Sequence, residues 1–195
     1  DAAGNPNAQM VVTELQSGVG ILNYTGHGSN NGCSSSGLSS AEVDALTNTD
    51  AFPFFFSVAC VNGNFVGITC FAESWLRATD NASGEPTGAI GTYMATINQS
   101  WNPPMSGQDE MNDLLTEANL NNIKRTFAGI GMNGCMQMND EYGTAGDEMT
   151  DTWTCFGDPS FMVRTQAPHA MSVTHVLTEL IGLSQLSVYC DEEGA

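Results

Sequence analysis

The chain has 195 residues, 41% hydrophobic and 13% charged, enough to bury one sizeable core and part of another. Its 22 acidic residues stand against only Arg77, Lys124, Arg125 and Arg164, for a formal net charge of −18. With no basic patch to release counterions, nucleic acid and anionic membranes are excluded as partners. Cationic partners or substrates fit this charge, as does an acidic surface that serves only solubility. No apolar run is long enough to span a bilayer and no signal peptide opens the chain, so residue 1 is not expected to begin the gene product. Six cysteines (33, 60, 70, 135, 155 and 190) are widely spread without C-x-x-C spacing, which fits neither a zinc site nor a small disulfide scaffold. One or two disulfides remain open, and sequence cannot pair them.

Residues 8–17 predict a short helix ended by Gly18. A strand over 19–25 follows and leads to Gly26-His27-Gly28. Residues 30–37 (Asn-Asn-Gly-Cys-Ser-Ser-Ser-Gly) carry no periodicity and predict a polar loop suited to substrate contacts. Ser39 and Glu42 have capping-box spacing and open a helix through Leu46. Pro53 restarts the chain as the strand 54–59, apolar almost throughout, as parallel strands covered on both faces are. A glycine-rich turn after Cys60 leads to a helix over 71–77, and 80–86 predict a loop. A buried strand follows over 88–96. From Gln108 a helix places Met111, Leu114, Leu115 and Ala118 on one face. Residues 126–138 predict a Gly- and Met-rich buried segment, and 143–150 a polar loop. Strands alternating with helices mean an α/β sheet. Composition shifts near Pro168; beyond it 171–174 and 186–190 alternate with period two, as half-buried antiparallel strands do. Two strands do not make a stable sheet, so residues 166–195 are expected to begin a second, all-β domain after a first spanning 1–165.

Two strands thus end in a histidine and a cysteine, each flanked by glycine turns. A thiol needs a neighbouring imidazole to take its proton, and that imidazole then protonates the leaving amine. Attack on a carbonyl also needs N–H donors for the oxyanion; the main chain of Gly28 and Cys60 is placed to offer them. In an open α/β sheet, ligands sit beyond the carboxyl ends of the strands, where both residues fall. A lone histidine or cysteine at a strand end is usually structural; the pair reverses that reading.

The segments Asn23-Tyr24-Thr25-Gly26-His27-Gly28-Ser29 and Val58-Ala59-Cys60-Val61-Asn62-Gly63 resemble the catalytic histidine and cysteine motifs of the gingipains, secreted caspase-like cysteine endopeptidases. The resemblance continues through Cys70-Phe71-Ala72-Glu73, residues 96–101, 104–112 and 121–127, and Asp151 to Ser160. It implies a mostly parallel caspase-like sheet flanked by helices, followed by the start of an Ig-like β-sandwich. It implies Cys60 as nucleophile, His27 as general base, and Gly28 with Cys60 as oxyanion donors. Trp101 and Met105 match residues lining the S1 pocket of arginine-specific members, and a flat indole suits a guanidinium or its aliphatic stem. Core filling is the plain alternative for both.

In the family, the acid that orients the histidine and the carboxylate that pairs with the P1 guanidinium lie upstream of residue 1, so an upstream part of the same catalytic domain is an expected partner. Asp109 and Glu110 are read instead as acids complementing a helix N-terminus. Asn30-Asn31-Gly32-Cys33 replaces the family's acidic and aromatic continuation after the histidine, which bears on the rim of the S1 pocket. His169 and His175 are expected at the surface, and Cys135 and Cys155 as inert core thiols. Catalysis needs no cofactor or metal; structural Ca²⁺ fits the family, although no EF-hand loop is present. The expected function is a secreted or cell-surface endopeptidase acting on protein or peptide substrates after a basic residue, arginine first. Asparaginyl or lysyl cleavage is a further specificity. The rival class is an inactive surface, filament or binding module that keeps the fold.

Overall fold

The computed structural model describes residues 6–165, 171–175, 185 and 187–192. The chain divides into two compact units, Asp1–Thr165 and Gln166–Ala195.

The first unit opens with α1 (Ala8–Ser17), whose N-cap Asn7 accepts from the Met10 N–H and whose C-cap Gly18 takes the left-handed conformation at φ 93°. Strand β1 (Ile21–Thr25) follows. Around the expected polar loop 30–37 the chain folds back through β2 (Gly28–Ser29), β3 (Gly32–Cys33) and β4 (Leu38–Ser39), a small antiparallel sheet whose middle strand lies inside that loop. Helix α2 (Ser40–Asp44) starts with the expected capping box: Glu42 accepts from the Ser39 N–H at 2.8 Å while the Ser39 hydroxyl accepts from the Ala41 N–H. Then come β5 (Phe54–Val58), α3 (Phe71–Arg77) and β6 (Gly91–Ala95).

The hydrogen bonds from Ser39 hold the Glu42 carboxyl below its usual range. A depressed acid contributes stability that is present above its unfolded pKa and is lost as pH falls through its lower folded value. Glu42→Gln is therefore expected to be less stable than the parent at neutral pH and equal to it in acid, by denaturant unfolding at both. Ser39→Ala should cost about 1 kcal/mol.

The remaining helices depart from expectation. Helix α4 (Asn102–Leu115) begins six residues before Gln108, because Pro103 and Pro104 suit a first turn, where no N–H donor is needed; Ala118 lies beyond its end. The segment 126–138 holds the N-cap Thr126, whose hydroxyl caps the helix, and most of α5 (Phe127–Tyr142). The expected polar loop 143–150 is α6 (Thr144–Thr150), a short helix with Met149 buried against the core. Its polar sequence hides the helix because only one narrow face touches protein. Strand β7 (Trp153–Gly157) closes the unit.

The main sheet runs β1-β5-β6-β7, with β1, β5 and β6 parallel and β7 antiparallel to β6. Helices cover both faces. Phe54, Phe56 and Val58 of β5 point into one core with Tyr93, Met111, Phe127, Ile130 and Trp153. Phe55 points into the other with Leu15, Val43, Phe71, Trp75 and Met94. Burying each such ring contributes roughly 1.5–3 kcal/mol. Helices α4 and α5 meet backbone to backbone: a Cβ on Gly134 would stand 2.6 Å from the Gly107 carbonyl oxygen. Gln108 of α4 binds the edge strand β1, donating from Nε2 to the Tyr24 carbonyl at 3.1 Å and to Asn23 Oδ1 while its own oxygen accepts from the Thr25 hydroxyl. The strand that delivers the histidine is thereby fixed to a helix.

In the second unit, β8 (Met171–His175) and β9 (Val188–Glu192) pair antiparallel, as the alternation predicts. The expected half-burial is corrected: Val173, Val188 and Tyr189 are exposed, since two strands cannot cover a face of their own ladder. His175 is exposed, and His169 and Leu186 lie outside the described residues.

Candidate active site

The parallel register sets Thr25 level with Val58 at the carboxyl ends of β1 and β5, so the loops that follow leave the sheet side by side. The Gly26 N–H continues the ladder to the Val58 carbonyl at 3.2 Å. His27 comes next, its main chain fixed on every side. Its N–H donates to the Ser35 hydroxyl at 3.1 Å, and its carbonyl accepts from the Tyr24 hydroxyl at 2.7 Å and the Ser34 N–H at 2.8 Å. The imidazole is exposed and meets the Trp101 ring edge-to-face, centroids 5.5 Å apart.

Cys60 is half-buried at the end of β5. The next residue, Val61, has φ 49°, a left-handed conformation that a β-branched side chain rarely adopts. The turn is held there because the Val61 N–H donates to the Ile97 carbonyl at 3.0 Å and the Gly63 N–H to the Ala95 carbonyl at 2.8 Å. Such strain, on the order of 1–3 kcal/mol, persists only where neighbours enforce it. Gly28 lies directly against this turn: a Cβ there would stand 2.5 Å from the Cys60 carbonyl oxygen and 2.8 Å from Ala59 Cβ. The glycine after the histidine is thus required by close approach of two backbones.

His27 and Cys60 share a cavity of about 220 Å³ lined also by Gly26, Val58, Gln99 and Trp101. Gln99 places its N–H 3.4 Å from Cys60 Sγ. Its side chain is anchored beyond the site, with Oε1 accepting from Trp153 Nε1 at 2.7 Å and Nε2 donating to Thr152 Oγ1 at 3.3 Å. Sequence reading passed over Gln99 as one residue of a matched block, since an anchor on β7 carries no local signal. Of the residues expected at the site, His27, Cys60 and Trp101 come together and Gly28 backs them.

Met105 does not line that cavity. It borders a second one of about 420 Å³ between α4 and α5, with Asp109, Glu110, Asp113 and Glu141 on its walls. Asp109 and Glu110 are therefore not first-turn acids, because α4 starts at Asn102 and its first turn holds no acid. Among the described residues no group of three or more His, Cys, Asp and Glu side chains is arranged to hold a metal ion.

Four of the other thiols are shifted by burial. Burial pushes the Cys33 thiol up to about 12, against a smaller opposing effect of the Ser57 side chain. Burial likewise raises Cys70, Cys135 and Cys155. Cys135 is enclosed in the core as expected, Cys155 is half-buried, and all six cysteines are free thiols.

The family model described as Peptidase family C25 matches residues 2–164. The chain belongs to peptidase family C25. It is 46% identical over 186 residues to gingipain R2 of Porphyromonas gingivalis, covering 95% of this chain and 25% of that relative. Lys-gingipain of the same organism is 26% identical over 167 residues, 84% of this chain and 8% of its own length. Among solved structures, the Arg-specific cysteine proteinase gingipain R superposes with a TM-score of 0.85 and 43% identity, covering 98% of this chain and 44% of that one. The chain thus spans about a quarter of the curated gingipain R2 and under half of the solved enzyme. In this C25 chain no helix among the described residues is long and apolar enough to cross a membrane.

Proposed function

We propose that the protein is a secreted or cell-surface cysteine endopeptidase that cleaves peptide bonds after a basic residue, with arginine preferred. The cavity shared by His27 and Cys60 at adjacent strand ends carries this reading. Cys60 Sγ attacks the scissile carbonyl as His27 takes the thiol proton, and the imidazolium then gives that proton to the leaving amine. A tetrahedral oxyanion is held by the main-chain N–H groups of Gly28 and Cys60. Water repeats the sequence on the thioester and releases the acid. The Trp101 indole forms one wall for the P1 side chain, and the greater identity to gingipain R2 than to Lys-gingipain supports arginine. Met105 and the acidic walls behind it favour cationic segments of substrate further from the scissile bond. The acid that orients His27 and the carboxylate that pairs with the P1 guanidinium are assigned in this reading to an upstream part of the catalytic domain, and the β8–β9 ladder to the start of an Ig-like domain.

Iodoacetamide at mildly acidic pH tests the thiol half of this reading. Four other thiols are raised by burial, so the reagent is expected to label Cys60 ahead of them, with exposed Cys190 removed as Cys190→Ala. Slow, uniform labelling would favour the inactive binding module. A peptide library varied at P1, hydrolysed by the full-length protein, reads the specificity.

A further inference from the structure

Asn62 has no exposed surface, although it lies two residues beyond the nucleophile in a turn that faces the site. Its side chain reaches three other segments. Oδ1 accepts from the Ser57 hydroxyl of β5 at 2.8 Å. Nδ2 donates to the Ser29 carbonyl at 2.8 Å and to the Gly32 carbonyl at 3.0 Å, the two ends of the β2–β3 turn. Its main-chain carbonyl accepts from the Ala72 N–H at 3.0 Å, joining the turn to α3. Every hydrogen-bonding atom of the amide is therefore used, and both donors go to the hairpin that carries His27.

We propose that Asn62 is a positioning residue that clamps the histidine hairpin onto the cysteine turn and so sets the approach of His27 to Cys60. The inference rests on the reading of those two residues as a catalytic pair. Between the loops, Asn62 Nδ2 makes two hydrogen bonds, and the absence of a side chain on Gly28 leaves room for it: a Cβ there would stand 3.0 Å from that nitrogen. On this side the hairpin turn is also held by the Phe71 N–H on the Asn30 carbonyl at 2.8 Å, one bond beside the two from Asn62. Removing the amide takes a donor from each of the Ser29 and Gly32 carbonyls, the second keeping the Ser29 hydroxyl at 3.4 Å, and the hairpin relaxes away from Cys60 to find water. Proton transfer is steep in distance, so a shift of about 1 Å is enough to matter. Asn62 touches neither substrate nor the reacting atoms in this role.

The test is the rate of Cys60 alkylation by iodoacetamide at mildly acidic pH in the full chain, followed by mass spectrometry. The proteins compared are the parent, Asn62→Ala, His27→Ala and the double variant. Each single change is expected to slow alkylation about tenfold, and the double variant to be no slower than His27→Ala, since nothing remains to be positioned. Multiplying effects, or an unaltered Asn62→Ala, would overturn the clamp. Should Asn62→Ala fail to fold, Ser57→Ala releases only the Oδ1 bond and is expected to slow alkylation about threefold with His27 present and not at all without it; a slowing that persists without His27 overturns the clamp equally. If His27→Ala alone leaves the rate unchanged, the catalytic pair itself fails and the clamp with it.

Discussion

A Cys60→Ala variant of the full-length protein is expected to lose peptidase activity by at least about four orders of magnitude on a fluorogenic peptide with arginine at P1. In the proposed mechanism the thiol is the nucleophile of the cavity it shares with His27, and Ser100, which also lines that cavity, does not replace the covalent step. His27→Ala should lose about three orders of magnitude, with most of the effect in kcat, because the imidazole acts on the proton and not on binding. Substantial hydrolysis by either variant would remove the pair from the mechanism. Stability should barely change: Cys60 is only half-buried and His27 is exposed, so both denaturation midpoints should stay within about 0.5 kcal/mol of the parent.

The reverse pattern is expected at Phe127. Its ring packs on the face of the two central strands, with centroids 5.0 Å from Phe54, 5.2 Å from Phe56 and 6.1 Å from Tyr93, and it has no exposed surface. Phe127→Ala opens a cavity under β5, the strand that ends in Cys60. It should cost about 4 kcal/mol by urea unfolding. Denaturant slopes that match the parent would attribute the loss to packing in the native state. A cost below about 1 kcal/mol would mean that α5 does not seat on the sheet as described.

The two cores rest on features legible in order along the chain. Phe54 to Val58 is apolar at every position but Ser57, and a strand so composed must be covered on both faces; β5 is, by helices on either side. The Ser39–Glu42 spacing and Gly18 mark helix ends because caps act through bonds spanning three or four residues. Helix α6 and the start of α4 were not legible. Thr144–Thr150 owes its conformation to burial of Met149 and Gly146 against neighbours distant in sequence, and local composition carries no trace of that. β7 likewise needs β6 beside it before its pattern means strand.

The candidate site divides along the same line. Chain order alone singles out His27 and Cys60, since each follows a hydrophobic strand and leads into a glycine-containing turn, and the matching motifs extend that to Gly28 and Trp101. Their convergence on one cavity depends on parallel pairing of β1 with β5, a contact between segments thirty-three residues apart in register. Gln99 and Asn62 emerge only from the folded chain, because their roles lie in hydrogen bonds to Trp153, Thr152, Ser29 and Gly32 that no local pattern announces. Met105 was drawn to the first cavity by its place in a motif and lies instead on the second. Residue type and spacing decide which groups can do chemistry and where strands begin; long-range backbone pairing, which sequence does not display, decides which of those groups meet.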